Sequence, residues 1–263
     1  MTEDAAQHPD RFASAGDRSA ALVEALPDDT FAQVCGRGEL VLELRTTPGA
    51  ALWRGSPWGS GWVGGGDATA LGTLVASAVP HELTVPASLG LPAGYLYDWG
   101  WGWHAITTAP PQQPGEHLTE WLPDGDRELA DLVERAFPDA ETPPGDPRVA
   151  GWFGARADGR LVAAAASLTL GLAPSQQRGP VAGNPAGTVG PVGGAALLSS
   201  LTVDPAARRS GWARALTAWF VRERFARGAA VVGLGTYLSN EPARALYDRL
   251  GFVEVPYIGG TAA

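Results

Sequence analysis

The stretch Leu201-Thr-Val-Asp-Pro-Ala-Ala-Arg-Arg-Ser-Gly-Trp-Ala213 carries the clearest structural signal in this 263-residue chain. The apolar segment 195–203 predicts a strand, and Pro205 ends it because proline has no amide to donate to a neighbouring strand. An arginine-bearing turn follows, and Gly211 opens a predicted helix over 211–227 with an apolar face. The stretch therefore predicts a strand, a tight turn and a helix in direct succession.

A turn of this kind is suited to binding a phosphate. Its successive amides point inward, and the helix N-terminus adds partial positive charge. Gly211 and Ala213 are small enough for the backbone to approach phosphate oxygens, and Arg208 and Arg209 supply charge. The alternative interpretation is an ordinary strand-to-helix turn on a solvated surface.

A second informative segment is Asn240-Glu-Pro-Ala-Arg-Ala-Leu-Tyr-Asp-Arg-Leu-Gly-Phe252. It follows a predicted strand at 229–237. Pro242 in the first turn and Gly251 at the end predict a helix over 242–250. By itself this segment indicates only a well-capped helix, but it comes one strand after the phosphate turn.

The elements before these segments complete a mixed sheet. Asp158-Gly159 is a strong hairpin signal between the apolar strands 149–156 and 160–170. The pattern is antiparallel at first and locally parallel at the end. The other predicted elements are strands at 39–45, 118–122 and 252–258 and helices at 19–26, 68–79 and 126–137.

Arg208-x-x-Gly211-x-Ala213, placed after Val203-Asp204-Pro205, resembles the acetyl-CoA pyrophosphate loop of the GNAT superfamily of N-acetyltransferases. Asn240…Ala243…Ala245-Leu246-Tyr247…Leu250-Gly251-Phe252 resembles the next motif of that family, at the expected separation. The resemblance covers roughly 116–257. It implies an α/β protein with a GNAT-type acyl-CoA N-acyltransferase fold, preceded by a smaller α/β N-terminal domain.

The resemblance also implies an activity. Acetyl-CoA would donate an acetyl group to a primary amine, small-molecule or peptide, by direct attack in a ternary complex, without a metal. Tyr247 would donate a proton to the departing sulfur, and strand amides would polarise the thioester carbonyl. The implied cofactor-binding residues are Leu201, Thr202, Val203, Arg208, Arg209, Ser210, Gly211, Trp212, Ala213 and Asn240.

The general base is left unassigned by the sequence. Many relatives carry a glutamate on the strand equivalent to 195–203, and this chain has none there. Glu120, Asp98 and His104 are the candidates, and a base is unnecessary if the amine arrives neutral. Because Cys35 is the single cysteine and lies outside the implied catalytic half, an acyl-cysteine intermediate is not expected.

Four segments are predicted along the chain, and the last of them contains a long loop. Residues 1–18 are expected to form a disordered tail and 19–106 an N-terminal α/β domain, which could be a degenerate GNAT half without the phosphate turn. The Pro-rich segment 107–115 is the predicted linker. Residues 116–263 form the predicted catalytic domain, in which 171–194 is a long mobile loop because it has no large apolar side chains.

An aromatic strip lies at the end of the N-terminal half. In a strand its aromatic residues would share one face, and glycines and His104 would lie on the other. The strip is either an aromatic core face or one wall of an acceptor or acyl pocket. The motif Gly59-x-Gly61-x-x-Gly64 is attributed to chance or to a glycine-rich loop, since 51–58 is a poor strand. The strip comprises Tyr95, Tyr97, Trp99, Trp101 and Trp103, and the proposed acceptor-side residues are Asp98, Trp101, Trp103 and Glu120.

Composition excludes several classes of protein. The formal net charge of −9 argues against a nucleic-acid or anionic-membrane partner. No apolar run approaches 18 residues, and the acidic N-terminus is unlike a signal peptide, so we expect a cytoplasmic monomer or homodimer. One cysteine excludes an intrachain disulfide and a cysteine-rich metal cluster. The alternatives for function are a non-catalytic acyl-CoA-binding sensor or interaction module and an enzyme for a longer acyl donor.

Overall fold

The computed structural model describes residues 14–38, 40–56, 59–168 and 194–263. The predicted mobile loop lies outside the described residues except for Gly194, and so does the predicted tail up to residue 13. The helices are α1 (Ala15–Ala25), α2 (Thr30–Arg37), α3 (Ala68–Ala78), α4 (Arg127–Ala136), α5 (Trp212–Ala226) and α6 (Glu241–Arg249). The strands are β1 (Glu43–Thr47), β2 (Ala50–Ser56), β3 (Gly59–Gly66), β4 (Glu82–Pro86), β5 (Tyr95–Ile106), β6 (Thr119–Trp121), β7 (Val149–Ala157), β8 (Arg160–Leu168), β9 (Ala195–Val203), β10 (Val231–Tyr237) and β11 (Val253–Ala262).

The chain divides into two compact units. The first unit comprises residues 1–105, 235–245 and 252–263, and the second comprises 106–234 and 246–251. This division passes close to the predicted linker, but it assigns the last strand to the first unit. The reason is pairing: β11 is hydrogen-bonded on one side to β4 and on the other to β5. The predicted domain 116–263 and the compact second unit therefore differ at the C-terminus.

The sheet of the first unit has helices on both faces. Its strand order is β1-β2-β3-β4-β11-β5, in which only β3 and β4 run parallel. On one face Phe31 of α2 packs against Trp53 and Tyr257. On the other face Leu52 packs with Leu71 of α3 in an apolar cluster. Leu52 and Trp53 take opposite faces because side chains alternate along a strand.

A β-bulge in β5 makes the prediction of a single aromatic face wrong. Trp99 pairs with Gly259, whereas Tyr97 pairs with Gly260, so Asp98 is an extra residue on β5. Gly259 and Gly260 are successive residues of β11, so they face opposite sides of the sheet. Tyr97 and Trp99, which pair with them, therefore also lie on opposite faces.

The aromatic strip is consequently shared between the two cores of the first unit. Tyr95 packs in the α3-side cluster and donates its hydroxyl to the Pro80 carbonyl. Trp101 and Trp103 instead contact Phe31 of α2, with ring centroids 5.3 and 5.0 Å away. The interpretation as an aromatic core face therefore applies to Trp103, which is fully buried.

Local sequence patterns did not predict α2, β2, β3 and β4; residues 51–58 were interpreted as a poor strand and the glycine motif as chance or a loop. Both segments are strands, β2 and β3. Glycines weaken the strand pattern of β3, but one of them has a packing reason. A Cβ at Gly64 would lie 2.7 Å from Leu71 Cδ1, so the glycine lets α3 approach the sheet closely.

The second unit confirms the predicted mixed sheet. Its strand order is β10-β9-β8-β7-β6, antiparallel except for the β9–β10 pair. The β7–β8 hairpin turns at Asp158 and Gly159, which have φ values of +50° and +77°, as a two-residue hairpin turn of this kind requires. Helix α4 buries Leu129, Leu132 and Val133 against this sheet.

Both units repeat one succession of elements. In the first unit the antiparallel strands β1, β2 and β3 lead into α3 and then β4, which is parallel to β3. In the second, β7, β8 and β9 lead into α5 and then β10, which is parallel to β9. That the N-terminal half is a degenerate GNAT copy stays a prediction.

Candidate active site

The edge of β9 opens within the second unit. Residues 195–197 pair with residues 231–233 of β10, and no further β9–β10 pair follows in the described part of the chain. The rest of β9, through Val203, therefore has backbone groups on that side that an extended ligand can pair with, as a peptide pairs with a sheet edge. The GNAT resemblance implies that these two strands run parallel and then separate, and both features are present.

A second irregularity lies on the other side of β9. Thr202 pairs with Ala164 and Ser199 with Ala166, so Ser200 and Leu201 together face Ala165. This is a β-bulge, and Ser200 adopts a φ of +49°. The bulge takes the peptide between Ser200 and Leu201 out of the regular ladder, at the position where the resemblance expects amides that polarise a thioester.

The turn after β9 is held by its first residue. The Asp204 carboxylate accepts a hydrogen bond from the Ala206 amide at 2.9 Å and forms an ion pair with Arg135 at 3.2 Å. These interactions, the amide bond first, hold the pKa of Asp204 below its usual value. Asp204 therefore stays ionised and anchors the turn to α4.

The N-terminal end of α5, together with the turn before it, is called the mouth of the helix, and it is open. Arg209 and Gly211 adopt left-handed φ values of +64° and +88°, and no side chain caps the helix. Within the described residues, the amides of 208–214 have no hydrogen-bond acceptor. A Cβ built on Gly211 meets nothing within 4 Å, so the space before the helix is unobstructed.

The corresponding helix of the first unit is closed. Helix α3 starts directly after β3, and the Asp67 carboxylate accepts hydrogen bonds from the amides of Thr69 and Ala70 at 3.0 and 2.9 Å. A carboxylate at this position satisfies the amides and repels a phosphate. Of these two corresponding helices, only α5 has an uncapped N-terminus.

The two arginines of the turn differ in their surroundings. Arg208 donates from Nη2 to the Ala136 carbonyl at 3.2 Å and from Nε to the Val203 carbonyl at 3.4 Å. It therefore links the end of α4 to the end of β9 as well as adding charge. Arg209 is exposed beside the open amides.

Tyr247 lies on α6 in the part that belongs to the second unit, with only 6% of its surface exposed. Burial raises the pKa of its phenol above the usual value. The side chain is therefore protonated at neutral pH, and it can act as a proton or hydrogen-bond donor but not as a base.

These features coincide with a family match. A family model described as "Acetyltransferase (GNAT) family" matches residues 115–252, which is more than half of the chain. The chain belongs to the GNAT acetyltransferase family. The members of this family are acyltransferases that use an acyl-CoA. Among curated proteins, none matches this GNAT chain in sequence.

Solved structures resemble the GNAT protein in fold. A GCN5-related N-acetyltransferase from Kribbella flavida is 15% identical, with a TM-score of 0.50 over 95% of this chain and 96% of that one. A putative GNAT-family acetyltransferase from Novosphingobium aromaticivorans is 22% identical, with a TM-score of 0.47 over 94% and 97%. A GCN5-related N-acetyltransferase from Sphaerobacter thermophilus is 18% identical, with a TM-score of 0.49 over 97% of this chain and 93% of that one. The Kribbella likeness extends the shared fold beyond residues 115–252.

Of the predicted cofactor- and acceptor-side residues, Asn240, Asp98 and Trp101 lie in the first unit and Glu120 in the second. Asn240 caps α6 through its side-chain oxygen, which accepts from the Ala243 amide at 3.3 Å. Asp98 is exposed at the β5 bulge and accepts from the Thr261 hydroxyl at 2.6 Å. Trp101 stacks on Tyr257, with their ring centroids 5.1 Å apart. Their roles in binding cofactor or acceptor stay predictions, and so does that of Glu120, which is exposed on β6 of the second unit.

Two residues of the α4–β7 loop were missed by the sequence analysis. Thr142 is fully buried and contacts the bulge of β9, and Glu141 precedes it. Desolvation raises the pKa of Glu141, an effect that Arg148 partly offsets. The Glu141 side chain is 52% exposed and lies 3.9 Å from Arg148, so no role as a base is assigned to it. No periodicity or motif marks this loop in the sequence.

Other classes of site find little support in the described residues. No group of three His, Cys, Asp or Glu there could hold a metal ion. None of the described helices is both long and apolar enough to span a membrane. Cys35 is buried in the first unit, and burial raises the pKa of its thiol, which leaves it a poor nucleophile.

Proposed function

We propose that this GNAT protein is an N-acetyltransferase that transfers the acetyl group of acetyl-CoA directly to a primary amine. The observation that carries the proposal is the open mouth of α5, where the amides of 208–214 have no acceptor within the described residues. The first amides of a helix have no partner within the helix, and where no side chain caps them they form an anion site suited to a diphosphate.

The residues of the second unit have separate tasks in this proposal. The turn from Arg208 to Ala213 binds the diphosphate, and the open edge of β9 pairs with the pantetheine arm. The bound thioester supplies an activated acyl group. Amides at the β9 bulge stabilise the negative charge that develops on its carbonyl oxygen.

The reaction balances without a covalent enzyme intermediate. The amine nitrogen forms a C–N bond to the acyl carbon, the C–S bond breaks, and the nitrogen loses a proton to a base or to water. Tyr247 donates a proton or a hydrogen bond to the sulfur as it leaves. Direct transfer is supported by the burial of Cys35, the single cysteine, in the first unit.

A thiol-release assay over a panel of primary amines tests the activity. We expect CoA release that depends on an amine, with acetyl-CoA preferred to propionyl- and longer acyl-CoA. Tyr247→Phe should lower kcat about 100-fold, within the usual range for general acid catalysis, while the Kd for CoA changes little.

The alternative is a non-catalytic acyl-CoA sensor or interaction module. It would bind acetyl-CoA with the same turn, release no thiol with any amine, and tolerate Tyr247→Phe without consequence. Acetylated protein accumulating in the absence of an amine would contradict direct transfer.

A further inference from the structure

Thr142 joins the α4–β7 loop to the bulge of β9. Its hydroxyl lies 2.8 Å from Ser199 Oγ and 2.7 Å from Ser200 Oγ, and the Ser200 hydroxyl donates to the Thr142 carbonyl at 3.0 Å. Thr142 is fully buried and Ser200 is 8% exposed. Three hydroxyls and one carbonyl thus form a compact hydrogen-bonded cluster within the second unit.

The cluster holds a residue in an unfavourable conformation. Ser200 has a φ of +49°, and the left-handed region costs a residue with a Cβ about 1–2 kcal/mol. Such conformations persist where the surroundings determine them. The bonds from Thr142 to Ser199, just before the bulge, and to Ser200, within it, provide that determination, since without them the strand could relax toward a regular ladder with β8.

We propose that Thr142 is a positioning residue for acyl transfer, which fixes the bulge so that the peptide between Ser200 and Leu201 presents its amide to the acyl carbonyl. This inference rests on the proposed function. It adds to that function a residue which touches neither donor nor acceptor and acts only through β9. Because a displacement of about 1 Å in a catalytic group can cost about 100-fold in rate, loss of this support affects the chemical step.

The central variant is Thr142→Val, which keeps the shape of the side chain and removes its hydrogen bonds. Thr142→Ser keeps the hydroxyl. The matched control is Thr119→Val on β6, because Thr119 is also buried but its hydroxyl has no partner within the described residues. We expect Thr142→Val to lower kcat about 10- to 100-fold with an unchanged Kd for CoA, while Thr142→Ser and Thr119→Val stay within about threefold of wild type.

Ser200→Ala shares with Thr142→Val the loss of the bond between the two hydroxyls, and it also removes the bond to the Thr142 carbonyl, so it keeps the test decisive if Thr142→Val does not fold. It should reproduce the kcat defect, and the double variant should lose less than the sum of the two single losses because they share one bond. Additive losses, or a fall in thermal stability with wild-type kcat, would overturn the inference and leave Thr142 a structural residue only.

A binding measurement separates this inference from the proposed function. Acetyl-CoA carries the carbonyl that the bulge amide would contact, and CoA lacks it. Calorimetry should show that Thr142→Val raises the Kd for acetyl-CoA relative to the Kd for CoA. If wild-type protein acetylates no amine, the proposed function fails. The ratio of the Kd for acetyl-CoA to the Kd for CoA still decides the positioning role, because an unchanged ratio in Thr142→Val refutes it.

Discussion

A carboxylate placed at Gly211 should close the mouth of α5 in the way that Asp67 closes α3. The structure allows the change, because a Cβ at Gly211 meets no atom within 4 Å. The φ of +88° costs a residue with a side chain about 1 kcal/mol, but Asp and Asn tolerate this region better than most. Gly211→Asp is therefore the perturbation and Gly211→Asn its control of equal shape.

The expected effect follows from charge. A carboxylate about 4 Å from a phosphate is repelled by about 1 kcal/mol in bulk water and about 4 kcal/mol at the effective dielectric near a protein surface. The turn is exposed, so a value between these limits applies. Since about 1.4 kcal/mol corresponds to a factor of ten, CoA should bind Gly211→Asp about 10- to 100-fold more weakly than it binds Gly211→Asn.

Isothermal calorimetry with CoA measures the two dissociation constants directly. Both variants should unfold within a few degrees of each other, because they share shape and capping ability. Increasing the salt concentration should reduce the difference between the two dissociation constants for CoA, because salt screens the repulsion. Equal affinities at low salt would falsify the placement of the diphosphate at α5, and with it the basis of the acyltransferase proposal.

Two further predictions concern the first unit. Asp67→Ala removes the cap of α3 and should lower the free energy of unfolding by about 1 kcal/mol, or Tm by about 2–4 °C, in thermal denaturation; an unchanged Tm would contradict the capping role. His104 is buried, and burial lowers the pKa of its imidazole below 6.5, so the folded protein holds fewer protons there than the unfolded chain. The stability that the neutral imidazole contributes is complete above about pH 6.5, and it is lost as the pH falls through the lowered pKa. Urea unfolding at pH 7.5 and 5.5 should therefore show a smaller loss of stability for His104→Gln than for wild type, and equal losses would refute this assignment.

Local sequence patterns predicted most of the second unit. Proline at 205 restricts the backbone, and the glycines at 159 and 211 permit left-handed φ values that most residues avoid, whatever surrounds them. The bounds of β9 agree with the prediction to the residue, and α5 begins one residue after its predicted start. Local rules suffice where one residue type decides the conformation.

The first unit was predicted poorly for the opposite reason. Strand β3 consists largely of glycine, and its place in the sheet depends on pairing with β2 and β4 and on contact with Leu71. The bulge at Asp98 is likewise set by the register against β11, which lies more than 150 residues further along the chain. No local pattern records such a pairing.

The sequence by itself therefore determined the strand, turn and helix that make a phosphate site, because each is specified by neighbours along the chain. Only the tertiary structure decided which amides stay uncapped, that β11 completes the sheet of the first unit, and that Thr142 supports the β9 bulge. These features join residues distant in sequence. They depend on long-range packing and hydrogen bonds, which produce no periodic pattern in the sequence.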